Sequence, residues 1–281
     1  MKKIIVCLVL LLFAAQFSTA QNLKVMTYNI RLDIASDGEN AWGKRRDFFN
    51  SQIRFYEPDI WGVQEATPNQ MDDLSKLLPE YSHIGIGRDG IGKGEASAIF
   101  FKKDRFKVSN EQTFWLSETP DKISKGWDAA YPRICTFGLF KDLKTKKTFW
   151  VFNTHLDHIG EVARTKGVEM ILAKMKEVNK KNYPVIFTGD FNSEPNTERI
   201  INLKKAMTDT RDVSEQKPFG PNGSFSGFKF NEPVTRLIDY IFVDNSKRFR
   251  VKKYAVLSDS KDLRYPSDHL PIFVEMEFTK K

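Results

Sequence analysis

The sequence places short apolar runs between polar turns along most of its length, and this pattern limits the fold more than any other feature. The runs are rich in β-branched and aromatic residues and are bounded by Gly, Pro, Asn or Asp, which is typical of β-strands. We predict strands at residues 23–30, 60–64, 83–87, 96–102, 105–114, 134–142, 147–154, 185–189, 237–243, 250–257 and 272–278.

Helical periodicity is found in only a few segments between these strands. Residues 161–179 carry the clearest pattern, because apolar side chains spaced three and four apart fall on one helix face. Further helices are predicted at residues 42–55 and 69–78, the second opening with Thr67-Pro68, and from Ser193-Glu194-Pro195 to about Ala206. Many strands with a few helices inserted predict an α/β fold, in which two sheets pack face to face with helices outside.

Residues 1–20 have the pattern of a secretory signal peptide. Lys2 and Lys3 precede an apolar run at residues 4–15, and Ser18-Thr19-Ala20 supplies small residues for cleavage. The apolar run is too short to span a bilayer comfortably. We therefore expect export to the periplasm or the medium, without stable membrane insertion after cleavage. Residues 21–281 then form a single domain, with a monomer as the default state.

Cysteine content excludes a fold held by internal disulfides, and the net charge excludes no class of function. The mature chain keeps only Cys135, in a predicted strand, so a buried thiol is expected and no internal disulfide can form. Loss of Lys2 and Lys3 lowers the formal charge from +8 to +6. A modest basic excess suits anionic substrates but also describes an ordinary solvated surface.

Short polar phrases stand at the ends of predicted strands, where loops can face water and ligand. They are Thr27-Tyr28-Asn29-Ile30-Arg31, Val63-Gln64-Glu65, Asn153-Thr154-His155-Leu156-Asp157, Gly189-Asp190-Phe191-Asn192, and the pair Ile238-Asp239-Tyr240 with Ser267-Asp268-His269-Leu270-Pro271.

Glu65 and Asn29 have two interpretations each. A lone carboxylate at a strand end is more often an acceptor that caps a loop, but Glu65 is also the kind of hard oxygen ligand that Mg²⁺ prefers. Asn29 could add a neutral oxygen beside it or donate a hydrogen bond to a phosphate. Arg31 could clamp a phosphate, because a guanidinium matches phosphate bidentately.

Asp190 and Asn192 occupy alternate positions and would point the same way in a continuing strand. Asp190 could accept a proton from an attacking water while Asn192 holds water or phosphate. Alternatively, Asn192 or Ser193 caps the helix that follows.

Asp239 and His269 could form a carboxylate–imidazole pair, since a neighbouring carboxylate fixes the tautomer of the ring and raises its basicity. His155 would act as a donor to a non-bridging or leaving oxygen. The competing explanation is that these histidines are polar packing residues. His158 is expected to be a surface residue, and His83 has no predicted role.

The ordered series of Asn29, Glu65, His155, Asp190, Asn192, Asp239, Asp268 and His269 resembles the endonuclease/exonuclease/phosphatase superfamily. That superfamily includes pancreatic-type deoxyribonucleases, abasic-site endonucleases, poly(A)-specific deadenylases, sphingomyelinases and inositol polyphosphate phosphatases. The resemblance spans residues 23–278. Gly-Asp-x-Asn or Ser-Asp-His alone would be weak, whereas the full order in its strand contexts is specific.

The resemblance implies a four-layer α/β/β/α sandwich, two packed mixed sheets flanked by helices, with one active site at the strand ends. It further implies that Glu65 binds a catalytic Mg²⁺ (or Mn²⁺), with Asn29 and Asp268 close to the metal or phosphate. Of the catalytic groups, Asp190 and Asn192 position water, Asp239 orients His269, and His155 stabilises the transition state or protonates the leaving group.

The resemblance also implies that one asparagine and one arginine contact substrate. By resemblance Asn153 contacts phosphate, and Arg133 stands where some secreted deoxyribonucleases place a phosphate-binding arginine. Arg31 is a departure from the abasic-site endonucleases, which have an aspartate two residues after the first asparagine. That branch is therefore disfavoured.

Three function classes follow. A phosphodiesterase or nuclease, acting as a 3'-5' exonuclease or an endonuclease on a nucleic acid or nucleotide, is favoured by the aromatic loop at residues 219–230 and by Trp115 and Trp127. A phosphomonoesterase or a lipid phosphodiesterase of the sphingomyelinase type could use the same residues. A non-catalytic binding domain is disfavoured, because all the expected polar groups are present.

Overall fold

The structure is a computed structural model that describes residues 22–279. The predicted signal peptide and its cleavage site lie outside the described residues, so export and the domain boundary at residue 21 remain predictions. Within the described part of the chain, every helix is too short or too polar to cross a membrane.

Two six-stranded sheets form the centre of the molecule. The first has the strand order β11-β12-β1-β2-β4-β3 and the second the order β5-β6-β7-β8-β10-β9. Both are mixed, because β1 pairs parallel with β2, and β7 with β8, among otherwise antiparallel neighbours. The strands are β1 Leu23–Asn29, β2 Ile60–Gln64, β3 Tyr81–Ile84, β4 Ile99–Lys102, β5 Phe106–Trp115, β6 Ile134–Asp142, β7 Thr148–His155, β8 Val185–Asp190, β9 Met207–Asp209, β10 Asp239–Asp244, β11 Phe249–Val256 and β12 Ile272–Phe278.

Helices cover the outer faces of both sheets. They are α1 Trp42–Tyr56, α2 Pro68–Leu77, α3 Glu161–Val178 and α4 Glu198–Ala206, with a short 3-10 helix at Ala35–Asn40. Trp42 and Phe49 of α1 pack with the first sheet. The predicted apolar stripe of α3 is buried at Val168, Ile171 and Met175, on the second sheet. The predicted four-layer α/β/β/α sandwich is confirmed.

Strand β1 shows how alternation assigns side chains to layers. Leu23 and Val25 lie in the core between the two sheets, whereas Met26 and Tyr28 pack against the helical layer. Successive strand residues point to opposite faces, so a strand buried on both faces reads as a continuous apolar run. This explains why the sequence predicted these strands from apolar runs rather than from alternating apolar and polar residues.

A polar layer replaces apolar packing where the two sheets approach most closely. The side chain of Asn153 donates to the backbone oxygens of Val63 and Ala98, at 2.8 and 2.9 Å, and accepts from Gln64 at 2.7 Å. Gly62 permits this approach, because a Cβ there would lie 2.4 Å from Asn153 Oδ1. This layer ties the two sheets together directly beneath the open end of the sandwich.

Element boundaries differ from the sequence predictions mainly around glycine and at short elements. The strand predicted at residues 83–87 ends at Ile84, because Gly85 has φ of 112° and turns the chain. The strand predicted from residue 96 begins at Ile99. Strand β9 and the 3-10 helix were not predicted, since elements of three to six residues carry too little periodicity. Cys135 is buried, as predicted.

Candidate active site

The polar phrases converge on one cavity of about 490 Å³ at the end of the sandwich. Its wall includes most of the predicted site residues, namely Arg31, Glu65, Arg133, His155, Asp190, Asn192, Asp268 and His269. Parallel pairing places the ends of β1 and β2 side by side, and likewise the ends of β7 and β8. The fold thus brings together side chains from across the whole chain.

Asn29 joins two carboxylates at the floor of the site. Its side-chain nitrogen donates to Glu65 Oε1 at 3.0 Å and to Asp190 Oδ2 at 2.9 Å, and its oxygen accepts from the backbone of Arg31 at 3.0 Å. That oxygen keeps a second lone pair, so the prediction that Asn29 lies close to a metal or phosphate stays a prediction. Its hydrogen bonds position Glu65 and Asp190.

Glu65 and Asp268 are carboxylates predicted to lie at the metal, and both line the cavity. Each Glu65 oxygen receives one hydrogen bond, from Asn29 and from the backbone of Leu32, which leaves lone pairs directed to the cavity. Burial raises the pKa of Asp268; His269 opposes this rise and the charge of Glu65 adds to it. Two carboxylates that repel each other at one cavity wall fit a divalent cation with oxygen ligands.

Arg31 is less free than the sequence suggested. Its guanidinium donates to Asp37 through two bonds of 2.9 Å, with one nitrogen 4.0 Å from Asp268. The backbone around it is held by buried Arg45, which donates to the carbonyl oxygens of Arg31 and Pro266. Arg31 therefore presents one edge of a fixed guanidinium to the cavity.

His269 and Asp239 form the predicted carboxylate–imidazole pair. Nδ1 of His269 lies 2.8 Å from Asp239 Oδ2, and Ser224 donates to the same carboxylate oxygen at 2.6 Å. Burial lowers the pKa of His269, but Asp239 and Asp190 outweigh it and raise the pKa to about 10. At neutral pH the ring is a cation whose Nε2 donor faces the site.

Asp190 lies at the centre of the site. Its Oδ2 is 3.5 Å from His155 Nε2 and 3.7 Å from His269 Nε2, while Oδ1 accepts from the backbone of Asn192 at 2.9 Å. Burial and the charge of Asp239 raise the pKa of Asp190. Its basicity is thereby closer to that of a general base at neutral pH.

Among the described residues, Asp190, Asp239 and His269 also form a group whose potential ligand atoms lie within 4.8 Å of one another. The same group could hold a metal, but its short His269–Asp239 hydrogen bond favours the acid–base role.

His155 is held as a neutral ring by its burial and by Arg133. Burial and the positive charge of Arg133 lower the pKa of His155 well below its usual value. Arg133 Nη1 lies 3.1 Å from Nδ1, and Asn192 Nδ2 lies 3.0 Å from Nε2, so both ring nitrogens face side-chain nitrogens. Asn192 also donates to the backbone oxygen of Leu156 at 3.0 Å, and His155 Nε2 is 3.5 Å from Asp190. Arg133 is itself fixed by Asp157 at 3.2 Å and contacts His158 at 3.0 Å.

Asn153 does not reach the cavity, which contradicts its predicted phosphate contact. It is fully buried in the polar layer between the sheets, and both ends of its side chain have hydrogen-bond partners. His155, two residues further along the same face of β7, reaches the open end instead.

Several cavity residues were missed from the sequence. Arg88 and Glu95 come from the glycine-rich connection between β3 and β4, and Tyr131 from the loop before β6. Arg236 approaches from the other side, beside Phe225 of the aromatic loop that the sequence did single out, whose ring packs on the edge of His269 at 5.0 Å. The charged residues in the Gly-Arg-Asp-Gly-Ile-Gly-Lys-Gly-Glu segment were the available signal, because glycine lets a loop approach a site closely.

Comparison with known proteins places this arrangement in a family. The sequence profile of the Endonuclease/Exonuclease/phosphatase family matches residues 26–269, which covers every residue of the site from Asn29 to His269. The chain belongs to this family. Its members are hydrolytic nucleases and phosphatases that depend on a metal, and the protein is accordingly a metal-dependent phosphoesterase.

Similar proteins differ in the substrates that their names state. A mannosyl-6-phosphatase from Bacteroides thetaiotaomicron is 40% identical, with a TM-score of 0.86 over 91% of this chain and 100% of that one. An endonuclease/exonuclease/phosphatase family protein from the same species is 38% identical, with a TM-score of 0.87 over 92% and 99%. The exoribonuclease subunit Ccr4 of Saccharomyces cerevisiae is 24% identical over 85% of this chain, which spans 36% of that protein.

Proposed function

We propose that the protein is a phosphomonoesterase that removes phosphate from a small hydroxylated molecule, such as a sugar phosphate, with Mg²⁺ or Mn²⁺. The observation that carries this proposal is a cavity in which Arg31, Arg133 and Arg236 line the wall together with Asp190. Guanidinium groups suit the dianionic end of a monoester. The similarity to a mannosyl-6-phosphatase at 40% identity supports the same substrate class.

The site residues divide the hydrolysis into compatible roles. Asp190 takes a proton from a water whose oxygen bonds to phosphorus, while the ester P–O bond breaks and releases an alcohol and inorganic phosphate. His269, held as a cation by Asp239, donates to a phosphate oxygen as negative charge develops there. Neutral His155 lies beside Asp190 and Asn192 at the wall of the site, and the leaving oxygen takes its proton from water.

Glu65 and Asp268 would hold the divalent cation, because both carboxylates line the cavity and partly lack cationic partners. A divalent cation supplies Lewis-acid stabilisation of phosphate oxygens. Asn29 keeps Glu65 and Asp190 at fixed separation.

A metal-supplemented substrate screen tests the proposal. Protein lacking residues 1–20 is assayed against hexose 6-phosphates, nucleotides, RNA, DNA, sphingomyelin and p-nitrophenyl phosphate, with Glu65→Gln as the inactive control. We expect release of inorganic phosphate from hexose phosphates to have the highest kcat/KM. Faster cleavage of RNA or DNA than of every monoester would refute the assignment.

A nuclease is the second candidate, with a nucleic acid as partner. The similarity to an exoribonuclease subunit favours it, as do Tyr131 and Phe225, which line the cavity and offer rings on which bases could stack. Shortened oligonucleotides in the same screen, rather than free phosphate, would identify this activity.

We also propose that the enzyme acts outside the cytoplasm. The basic start, apolar run and small-residue exit of residues 1–20 support export through a signal peptide. The mass of the protein recovered from cell fractions tests this: loss of residues 1–20 in the exported fraction is expected, and full-length protein retained in the cytoplasm would contradict it.

A further inference from the structure

The connection between β3 and β4 carries an ion pair into the cavity. Arg88 Nη2 lies 2.8 Å from Glu95 Oε1, and the side chains are 14% and 15% exposed. The backbone nitrogen of Arg88 also donates to the backbone oxygen of Glu95 at 2.9 Å, so the two residues face each other across a narrow loop. Both line the same cavity as Glu65 and His155.

The pair is fixed from outside the catalytic group. Trp115 Nε1 donates to the backbone oxygen of Arg88 at 2.7 Å, and the Arg88 guanidinium lies 4.6 Å from the centre of the Tyr131 ring. Tyr131 in turn stacks on His158 at 5.9 Å. The Arg88 guanidinium is therefore packed between Glu95 and the Tyr131 ring, and Tyr131 is half-exposed at the cavity.

The carboxylate of Glu95 is unexpected if this part of the cavity binds only phosphate. Burial disfavours the charged form of Glu95 and raises its pKa, and the neighbouring Arg88 opposes this rise. A negative charge also repels the phosphate groups of a polyanion. However, a carboxylate beside a guanidinium offers an acceptor and a donor together, which is what a hydroxyl group requires.

We propose that Glu95 and Arg88 determine specificity by binding hydroxyl groups of the leaving alcohol, with the Tyr131 ring packing on its carbon face. This inference rests on the proposed phosphomonoesterase function and assigns a polyol or sugar to the part of the cavity away from phosphorus. Glu95 accepts a hydrogen bond from one hydroxyl, and Arg88 donates to the same or the adjacent oxygen. The alcohol is then oriented before the P–O bond breaks.

The test compares one variant across substrates that differ in hydroxyl groups. Glu95→Gln keeps the size of the side chain and removes its charge. We expect KM for mannose 6-phosphate to rise about tenfold or more with little change in kcat, since hydrogen bonds to charged groups are the stronger ones. For p-nitrophenyl phosphate, which has no sugar hydroxyl, both constants should be unchanged.

Two controls separate recognition from a general effect on the loop. Lys93 is an exposed residue of the same loop and lines a different cavity. Lys93→Gln should therefore leave KM and kcat unchanged for every substrate. Monodeoxy analogues of mannose 6-phosphate should include one on which wild type and Glu95→Gln have equal KM, because the contacted hydroxyl is missing.

The outcomes distinguish this inference from the function beneath it. An equal loss for Glu95→Gln on every substrate would show a structural role and overturn the inference, leaving the phosphatase assignment intact. Failure of the wild-type protein to hydrolyse any hexose phosphate would overturn the proposed function and the inference together.

Discussion

At the scale of single residues, the site depends on side chains whose charges are set by their neighbours. Arg31, Glu65 and Asn192 each follow or end a strand with positive φ, at 57°, 64° and 45°. Non-glycine residues adopt this conformation rarely, and such strain concentrates at functional sites. It turns the side chains out of the strand direction and toward the cavity.

Asp190→Asn should abolish most of the activity without unfolding the protein. The amide is close in size to the carboxylate but cannot take a proton from water, so kcat should fall at least about a hundredfold. Steady-state kinetics on the best substrate measures the loss. Asp209→Asn, a buried aspartate on β9 outside the cavity, is the matched control and should retain kcat. A small loss for Asp190→Asn would remove Asp190 from the role of base.

Asp157→Asn should weaken the fold in a pH-dependent way. Burial alone would raise the pKa of Asp157, but backbone donors, including those of Gly160 and Ile159, and Arg133 lower it below its usual value. A lowered folded-state pKa gives stability that is present above about pH 4 and is lost as pH falls through the folded-state value.

We therefore expect the variant to lose about 2 kcal/mol of unfolding free energy at pH 7. The difference from wild type should shrink as pH falls below about 4. Urea unfolding of both proteins at several pH values measures it. A difference that is constant with pH would exclude the charge of Asp157 as the cause.

At the scale of elements, the approach of β2 to β7 and β8 fixes the distance between the sheets. A Cβ at Gly62 would meet Asn153 Oδ1 at 2.4 Å and Thr188 Oγ1 at 2.6 Å. Gly62→Ala should therefore separate the sheets or break the polar layer, at a cost of about 1–3 kcal/mol.

The midpoint of urea unfolding measures this loss. Gly43→Ala, on the exposed face of α1 with nothing within 4 Å of its Cβ, is the control and should be stabilising by up to about 1 kcal/mol. Equal midpoints for the Gly62→Ala variant and wild type would show that the polar layer accommodates the methyl group without loss of stability.

At the scale of the whole molecule, a cation bound by Glu65 and Asp268 would join the first sheet to the loop before β12. A ligand that binds only the folded state raises its stability, by about 2.7 kcal/mol at a hundred times its dissociation constant. Mg²⁺ should accordingly raise Tm by several degrees over the protein in EDTA. Glu65→Gln should remove the increase, and Glu111→Gln on exposed β5 should keep it. An equal increase in both variants would place the cation elsewhere.

Much of this architecture could be predicted from the sequence. The strands at residues 60–64, 134–142 and 272–278 have the predicted bounds, because buried strands are long, apolar and rich in β-branched and aromatic residues. The order of the polar phrases predicted the family. The glycine-rich segment singles out Arg88 and Glu95 as candidates, but their place at the cavity could not be predicted, because the path of the loop is fixed by contacts with distant residues such as Trp115 and Tyr131.

Asn153 and His155 show what the sequence determined and what only the tertiary structure decided. Strand alternation alone places both on the inner face of β7. Whether a polar side chain on that face meets substrate or the opposite sheet depends on where the sandwich closes. The close approach of the sheets at Gly62 buries Asn153. Two residues further along β7 the sheets are farther apart, and His155 faces the cavity. The point along β7 at which the sandwich opens is set by packing between segments far apart in the chain, and a local sequence pattern does not contain that information.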